Sequence, residues 1–142
     1  MTIEQTEQQI IEEFSSFDDW LDKYNLIIEM GRDLPLIEAR YKTNNHLISG
    51  CQSRVWLHAE PQADGKVKFT ADSDAIITKG LVSLLIRVLS DRTPDEILQA
   101  ELAFLDKIGL KEHLSPTRSN GLLSMVKQMK LYAQVFKLKR NN

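Results

Sequence analysis

The sequence of 142 residues contains a single cysteine, Cys51. One thiol excludes an intrachain disulfide, a zinc site built from CxxC pairs, and an iron–sulfur cluster ligated by cysteines of this chain alone. Glycine and proline are also scarce, with six and four residues. That composition is typical of an ordinary globular protein and excludes a collagen-like chain. Any chemistry of Cys51 must therefore proceed without a second thiol from the same chain.

Long apolar runs are missing as well. The longest one spans four residues, 102–105, whereas a membrane-spanning helix needs about 20. The first residues of the chain lack the basic flank and the apolar stretch of a signal peptide. We therefore expect no membrane span and a cytoplasmic location. The net charge of −2 argues against a general nucleic-acid-binding protein, which usually has a strong basic excess.

Charge is distributed unevenly along the chain. Residues 1–41 hold ten acidic and three basic side chains, a net charge of −7, and residues 107–142 hold one acidic and eight basic side chains, a net charge of +7. Two interpretations stay open, namely terminal helices whose charges are solvated or complementary, and a docking surface for a charged partner. The sequence favours the first.

Hydrophobic periodicity predicts an α+β fold. Two helices are expected within the first forty residues, the second capped by Ser16 and ended by Gly31. Alternation over residues 53–60 and 66–69 predicts two strands. Asp64-Gly65 predicts that a type I′ turn joins them into a hairpin.

The remainder of the chain is predicted to be helical. Asp72, Ser73 and Asp74 are candidate caps for an apolar helix in which Gly80 allows close packing, and Thr93 opens a short helix with a capping box. A further short helix should end at Gly109, and a long one should begin at Ser115. The expected architecture is one domain over residues 1–142, with a small antiparallel sheet packed against helices.

The candidate chemistry lies in the sequence Ile48-Ser49-Gly50-Cys51-Gln52-Ser53. Gly50 lets the backbone adopt conformations that other residues resist, and it leaves one side of Cys51 open to a reactant. A thiolate needs nearby positive charge, hydrogen-bond donors or a helix N-terminus. The candidate groups are the amides of Gln52 and Ser53, the side chain of Arg118, and His46.

The residues alone leave the function of Cys51 open. The thiol fits an inert buried side chain in a structural or adaptor protein, because lone cysteines often behave as small hydrophobic residues. It also fits the nucleophile of a hydrolase or thiol peroxidase that uses a histidine base. The three histidines, at positions 46, 58 and 113, show no metal-ligand spacing.

Short sequence blocks follow one another in a specific order from about Trp20 to the final helix. They are Gly50-Cys51-Gln52-Ser53 with Val55-Trp56, Asp72-Ser73-Asp74-Ala75 with Lys79-Gly80-Leu81, and His113-Leu114 with Pro116, Arg118, Gly121-Leu122 and Met125. This combination resembles the SufE family of sulfur acceptors for cysteine desulfurases.

The resemblance implies an α+β fold shared with the IscU-type scaffold proteins. It implies that Cys51 receives sulfur as a persulfide from a pyridoxal-phosphate-dependent cysteine desulfurase, stimulates that enzyme, and passes the sulfur to an iron–sulfur assembly scaffold. This chain then needs no cofactor, because the pyridoxal phosphate belongs to the desulfurase. One cysteine fits a carrier better than a scaffold, since a nascent cluster needs several ligands.

The resemblance also suggests roles for individual residues. Asp74 resembles the family aspartate beside the loop that carries the cysteine, and Arg118 resembles the family arginine near the thiol. Five residues before the cysteine the family often has Asn, whereas this chain has His46. We further expect Cys51 to be sheltered in a pocket and to swing outward when the desulfurase docks.

Overall fold

The computed structural model describes residues 1–140, and the last two residues of the predicted domain lie outside them. The helices are α1 (Ile3–Ser15), α2 (Trp20–Arg32), α3 (Ile76–Leu89), α4 (Pro94–Gln99), α5 (Phe104–Lys107), α6 (Leu110–His113) and α7 (Pro116–Arg140). The strands are β1 (Val55–Pro61) and β2 (Val67–Ser73), and two 3₁₀ helices, Ala39–Tyr41 and Asn44–His46, precede them. No helix within residues 1–140 is both long enough and apolar enough to cross a membrane.

The two strands form an antiparallel hairpin in which Val55 pairs with Ser73 and Pro61 with Val67. Alternate residues of each strand are buried against the helices, because successive side chains of a strand point to opposite faces. The outer face carries Trp56 and His58. The predicted α+β fold is confirmed.

The hairpin turn differs from the predicted type I′ turn. Gln62 N donates to Lys66 O at 2.7 Å, and Gly65 N donates to Gln62 O at 3.0 Å. Gly65 has a φ of +87°, whereas Asp64 is not among the non-glycine residues with positive φ, and a type I′ turn needs positive φ at both central residues. Asp64 instead uses its carboxylate to accept from Lys66 N at 3.0 Å. The turn is therefore a three-residue loop with glycine in the left-handed position.

Other segments of the chain cover the free edge of β2. Residues 35–37 and residues 91–92 form backbone hydrogen bonds with Ala71 and Val67, respectively. Between them, Phe69 N donates to the side-chain oxygen of Ser90 at 3.0 Å. The outward backbone groups of Val67 and Ala71 and the outward N–H of Phe69 are thus bonded inside the molecule.

The opposite edge, that of β1, is also covered. Ile48 N donates to Val55 O at 2.9 Å, and the hydroxyl of Tyr132 donates to Leu57 O at 3.3 Å. The segment before Cys51 therefore lies beside the start of β1, and α7 lies beside its middle.

Glycine allows α2 and α3 to touch at their backbones. A Cβ atom on Gly80 would lie 2.1 Å from Ile27 O, and one on Gly31 would lie 3.1 Å from Gly80 N. The close packing predicted at Gly80 is confirmed. The prediction that Gly31 ends α2 is wrong, because that glycine lies inside the helix and serves the contact with α3.

Helix boundaries depend on caps that the sequence only partly indicates. Asp19, not Ser16, caps α2 by accepting from Leu21 N at 2.9 Å, because Ser16 follows the end of α1 and donates to Glu13 O. The capping box at Thr93 is confirmed. A short helix, α6, follows Gly109, whose φ is +83°, and the sequence did not predict it.

The last helix, α7, connects the core to the loop that carries Cys51. Its buried residues are Gly121, Leu122, Met125, Met129 and Ala133, and their helical spacing puts them on one face of the helix. Ser115 begins the helix as predicted, since its hydroxyl accepts from Arg118 N at 3.3 Å. The N-terminal turns of α7 lie beside Cys51.

Candidate functional site

Cys51 lies in a short loop, residues 49–54, which we call the Cys51 loop. The hydrogen bond from Ile48 N to Val55 O closes this loop at its base. The thiol is half-buried, and its Sγ lies 3.6 Å from Gly121 O, to which it donates. The loop therefore holds Cys51 against α7.

A cleft of about 80 Å³ surrounds the thiol. It lies between the Cys51 loop, the first turns of α3 and the first turns of α7. Its lining residues are Cys51, Gln52, Ser53, Thr78, Leu81, Thr117, Arg118, Gly121 and Met125. A cleft of this size admits a sulfur atom or a water molecule but not a metabolite.

The surroundings keep the thiol in its protonated form. Burial raises the pKa of Cys51, because a thiolate loses solvation when it leaves water. The hydrogen bond to Gly121 O acts in the same direction, since a carbonyl accepts from S–H and repels a thiolate. The shelter predicted for Cys51 agrees with this arrangement, in which the nucleophilic form is disfavoured in the free protein.

Gly50 is required by both backbone conformation and space. Its φ is +88°, in the left-handed region that glycine adopts without a steric penalty. A Cβ atom at this position would lie 2.6 Å from Ser124 Oγ on α7. The glycine therefore allows the Cys51 loop to turn sharply while it packs on the helix.

Asp74 fastens the other end of the Cys51 loop. Its carboxylate accepts from Arg54 N at 3.0 Å, and the neighbouring Ser73 hydroxyl donates to Arg54 O at 2.8 Å. The predicted capping role of this segment is wrong, because α3 has Ala75 at its N-cap and no side-chain cap. Asp74 is instead bonded to the loop, as the resemblance suggested.

Arg118 lines the cleft from the first turn of α7. The residue is exposed, and it follows Thr117, which also lines the cleft. A fork of five donors at this point can contact a thiolate or a docking partner.

His46 is not brought to the cleft. Its Nε2 lies 3.2 Å from Nδ1 of His58, and its Nδ1 lies 3.3 Å from the hydroxyl of Thr43. The ring of Tyr41 stacks on His58 at 3.7 Å. His46, which the sequence offered as a group near the thiol, thus belongs to a separate cluster on the outer face of β1.

Thr78 and Thr117 are cleft residues that sequence reasoning did not single out. Thr117 and Gly121 are four residues apart on α7, so helical spacing alone places them on one face. Thr78 reaches the cleft only through the packing of α3, which has no local signal. Within residues 1–140, no group of three or more His, Cys, Asp or Glu side chains is arranged to hold a metal ion.

Comparisons with known proteins identify similar sequences in two bacteria. An uncharacterized SufE-like protein of Rhizobium meliloti is 40% identical over 130 residues, covering 89% of this chain and 93% of the relative. One from Rhizobium etli is 40% identical over 131 residues, covering 89% of this chain and 88% of that protein.

A plant protein and a solved structure extend the comparison. SufE-like protein 1, chloroplastic/mitochondrial, of Arabidopsis thaliana is 38% identical over 122 residues, covering 86% of this chain and 33% of the plant protein. The solution structure of a hypothetical protein from Thermus thermophilus superimposes with a TM-score of 0.77 at 21% identity, covering 94% of this chain and 96% of the other. The solved structure shows that the two proteins share a fold.

A family model, SufE, described as an Fe–S metabolism associated domain, matches residues 8–133. The match includes the Cys51 loop, Asp74 and Arg118. The chain therefore belongs to the SufE family.

Proposed function

We propose that Cys51 accepts a sulfur atom as a persulfide from a pyridoxal-phosphate-dependent cysteine desulfurase. The observation that supports this proposal is the placement of the single thiol of a SufE-family chain in a small cleft that leaves room for an extra sulfur atom. The pyridoxal phosphate belongs to the desulfurase, and Cys51 acts without a cofactor on this chain.

The transfer is an exchange between thiols and leaves the total oxidation state unchanged. Cys51 loses its proton, and its thiolate attacks the terminal sulfur of a persulfide on the desulfurase cysteine. A bond forms between Cys51 Sγ and that sulfur, and the bond between the two sulfurs of the partner breaks. The electron pair of the broken bond leaves with the partner's thiolate, as in thiol–disulfide exchange.

Docking must convert the protonated thiol into a nucleophile. In the free protein, burial raises the pKa of Cys51, and Gly121 O accepts its proton in a hydrogen bond. A partner that draws the loop away from α7 removes both effects. Arg118, exposed at the mouth of the cleft, then lies where its positive charge stabilises the thiolate.

The persulfide on Cys51 is next passed to an iron–sulfur assembly scaffold, and removal of sulfur from the desulfurase stimulates that enzyme. The proposed site of both steps is the cytoplasm. That location stays a prediction, since the name of the Arabidopsis relative places that protein in chloroplasts and mitochondria.

The alternative of a hydrolase or thiol peroxidase with a histidine base finds no support in the site. No histidine is among the cleft residues, and His46 is bonded to His58 instead. The cleft also lacks the volume that a small-molecule substrate would need.

Intact-protein mass spectrometry tests the proposal. The protein is incubated with a cysteine desulfurase, pyridoxal phosphate and L-cysteine, and the wild type is compared with Cys51→Ser. The wild type should gain the mass of one sulfur atom, lose it on reduction, and accelerate cysteine turnover, whereas Cys51→Ser should do none of these.

Circular dichroism of the variant verifies that it is folded. A gain of sulfur on Cys51→Ser, or no gain on the wild type with any cysteine desulfurase tried, would overturn the assignment.

A further inference from the structure

The outer face of β1 carries an ordered chain of polar side chains outside the cleft. The hydroxyl of Thr43 lies 3.3 Å from Nδ1 of His46. Nε2 of His46 lies 3.2 Å from Nδ1 of His58. Nε2 of His58 in turn lies 3.1 Å from a carboxylate oxygen of Glu60. Four groups thus connect the segment before Cys51 to the strand beneath it.

The chemistry of these groups fixes the positions of their protons. An ionised Glu60 only accepts, so His58 must carry its proton on Nε2, which leaves Nδ1 as an acceptor. His46 must then donate from Nε2, and its Nδ1 accepts from the hydroxyl of Thr43. Both neutral rings are therefore in the Nε2–H form.

This hydrogen-bonded series of side chains accommodates one extra proton but not two. A proton added to Nδ1 of His46 only requires the hydroxyl of Thr43 to rotate and accept. When both rings are charged, the two facing nitrogens of His46 and His58 each carry a hydrogen, and their hydrogen bond is replaced by repulsion between like charges.

The histidine pair lies immediately beside the backbone contacts that close the Cys51 loop. Leu47 forms a bridge with Trp56, and Ile48 N donates to Val55 O at 2.9 Å. Tyr41 stacks on His58 with an interplanar angle of 10°. This is a second side-chain contact between β1 and the segment that precedes Cys51. Loss of the histidine contact removes one of the side-chain anchors of the segment that leads into Cys51.

Charged groups of both signs face the pair from the neighbouring elements. Arg40 lies over the ring of Tyr41 at 4.6 Å. Glu60 is the last member of the hydrogen-bonded series. Lys68 lies opposite Glu60 in the strand register of the hairpin. Farther along the same face, Lys42 is bound to Asp72 at 2.8 Å. Burial, followed by the charge of His58, lowers the pKa of His46, which agrees with a pair that resists the second proton.

We propose that His46 and His58 are positioning residues that hold the Cys51 loop closed at neutral pH and release it when both rings are protonated. The inference deepens the proposed function, since it concerns access to the thiol that accepts sulfur. Its test needs no desulfurase, so its failure and the failure of sulfur transfer are distinguishable.

The test measures the reaction of Cys51 with dithiodipyridine between about pH 8 and 5, the range in which histidine titrates. Each rate is divided by that of an unstructured cysteine peptide at the same pH, which removes the titration of a free thiol. The ratio for the wild type should rise several-fold toward acid pH.

Two substitutions at His46 separate the proton from the contact. His46→Gln keeps a donor to His58 and cannot be charged, so its ratio should stay low at all pH values. His46→Ala removes the contact, so its ratio should be high throughout. His113→Gln, which changes a histidine stacked on Trp20, should follow the wild type. A flat ratio for the wild type, or a rise for His46→Gln equal to that of the wild type, would overturn the proposal.

Imidazole nitrogen chemical shifts provide a readout that a merely structural role would not produce. At neutral pH, both His46 and His58 should show a protonated Nε2 and a bare Nδ1. One ring should become doubly protonated first, without a rise in the reactivity of Cys51. The other should become doubly protonated over the same pH range in which that reactivity rises. A proton on Nδ1 of His58 at neutral pH would contradict the assigned direction of the hydrogen bonds from Thr43 to Glu60.

Discussion

At the scale of single residues, the proposed function gives Cys51 two opposing requirements. A persulfide is easily reduced or oxidised, so the thiol needs shelter, but attack on a partner's sulfur needs a thiolate. The half-buried position of Cys51 in the cleft beside α7 meets the first requirement. The second then depends on groups at the mouth of the cleft, of which Arg118 carries a permanent positive charge.

Replacing Arg118 by Ala should slow sulfur transfer roughly tenfold or more, the effect of losing a hydrogen bond to a charged group. Arg118→Lys keeps the charge but loses the planar fork, so its rate should be intermediate. The measurement is the initial rate of persulfide formation on Cys51 by mass spectrometry, with thermal unfolding of each variant.

Lys127→Ala, an exposed position on the same helix, is the matched control and should behave as the wild type. An Arg118→Ala protein that transfers sulfur at the wild-type rate would remove this arginine from the site.

The sequence indicates which residues matter at this scale more readily than it indicates what they touch. Gly50 and Cys51 stand out because their types are chemically distinctive, and family resemblance adds Asp74 and Arg118. The partner of Asp74 lies 20 positions away at Arg54, and the partner of His46 lies 12 positions away. Such pairs depend on how the hairpin and the preceding segment pack, which local patterns do not encode.

At the scale of elements, α2 and α3 approach so closely that a side chain cannot fit between them. The contact involves Ile27 O and Gly80, with Gly31 alongside. α3 supplies part of the cleft through Thr78 and Leu81, so this contact helps to set the position of the cleft wall.

Gly80→Ala should therefore destabilise the protein, by about 1–3 kcal/mol for an overpacked interior. In an ordinary helix the same change stabilises by roughly 0.5–1 kcal/mol, so the sign is diagnostic. Urea unfolding followed by circular dichroism measures the difference.

Gly31→Ala, with its nearest contact at 3.1 Å rather than 2.1 Å, should have a smaller effect. Equal or greater stability of Gly80→Ala would show that the two helices can separate without cost.

Sequence patterns predict elements where the signal is local. The hairpin and the apolar stripe of α7 follow from periodicities of two and 3.6 residues, and both are observed. The start of α2 does not follow from a local pattern. Ser16 and Asp19 are both good caps, and the position at which α1 ends decides between them. The type of the hairpin turn likewise depends on the hydrogen bond made by Asp64.

At the scale of the whole molecule, charge is arranged so that the terminal helices pair with the middle of the chain. Glu13 of α1 forms an ion pair with Arg87 of α3, and Lys137 of α7 forms one with Asp95 at 2.7 Å. The opposite net charges of the two ends are thus partly used against the central elements.

Asp72 joins three parts of the molecule, and stability should depend on its ionisation. Burial alone would raise its pKa, but the hydrogen bond and charge of Lys42, with Ser73 N and Lys79, lower it overall. A depressed carboxylate pKa stabilises the fold above the unfolded pKa, and that contribution is lost as pH falls through the folded pKa. Asp72→Asn should therefore destabilise the protein at neutral pH, and the difference from wild type should shrink as the pH falls below the ordinary pKa of an aspartate.

Urea midpoints at several pH values measure this difference. Glu7→Gln is a control of opposite sign, because burial raises the pKa of Glu7 and its ionisation therefore opposes folding at neutral pH. That variant should be more stable than the wild type at neutral pH and equal to it in acid. A pH-independent effect of Asp72→Asn would show that its ion pairs do not stabilise the fold.

The covered edges of the hairpin determine how another protein can recognise this one. Backbone or side-chain groups of the same chain already bond to Ala71, Phe69 and Val67 on one edge and to Val55 and Leu57 on the other. A partner therefore cannot bind by β-augmentation at these positions, because the ladder it would extend is occupied. A partner that docks at these positions must use side chains, helix ends and the Cys51 loop, so inhibitors directed there should be designed as surface mimics rather than as extended peptides.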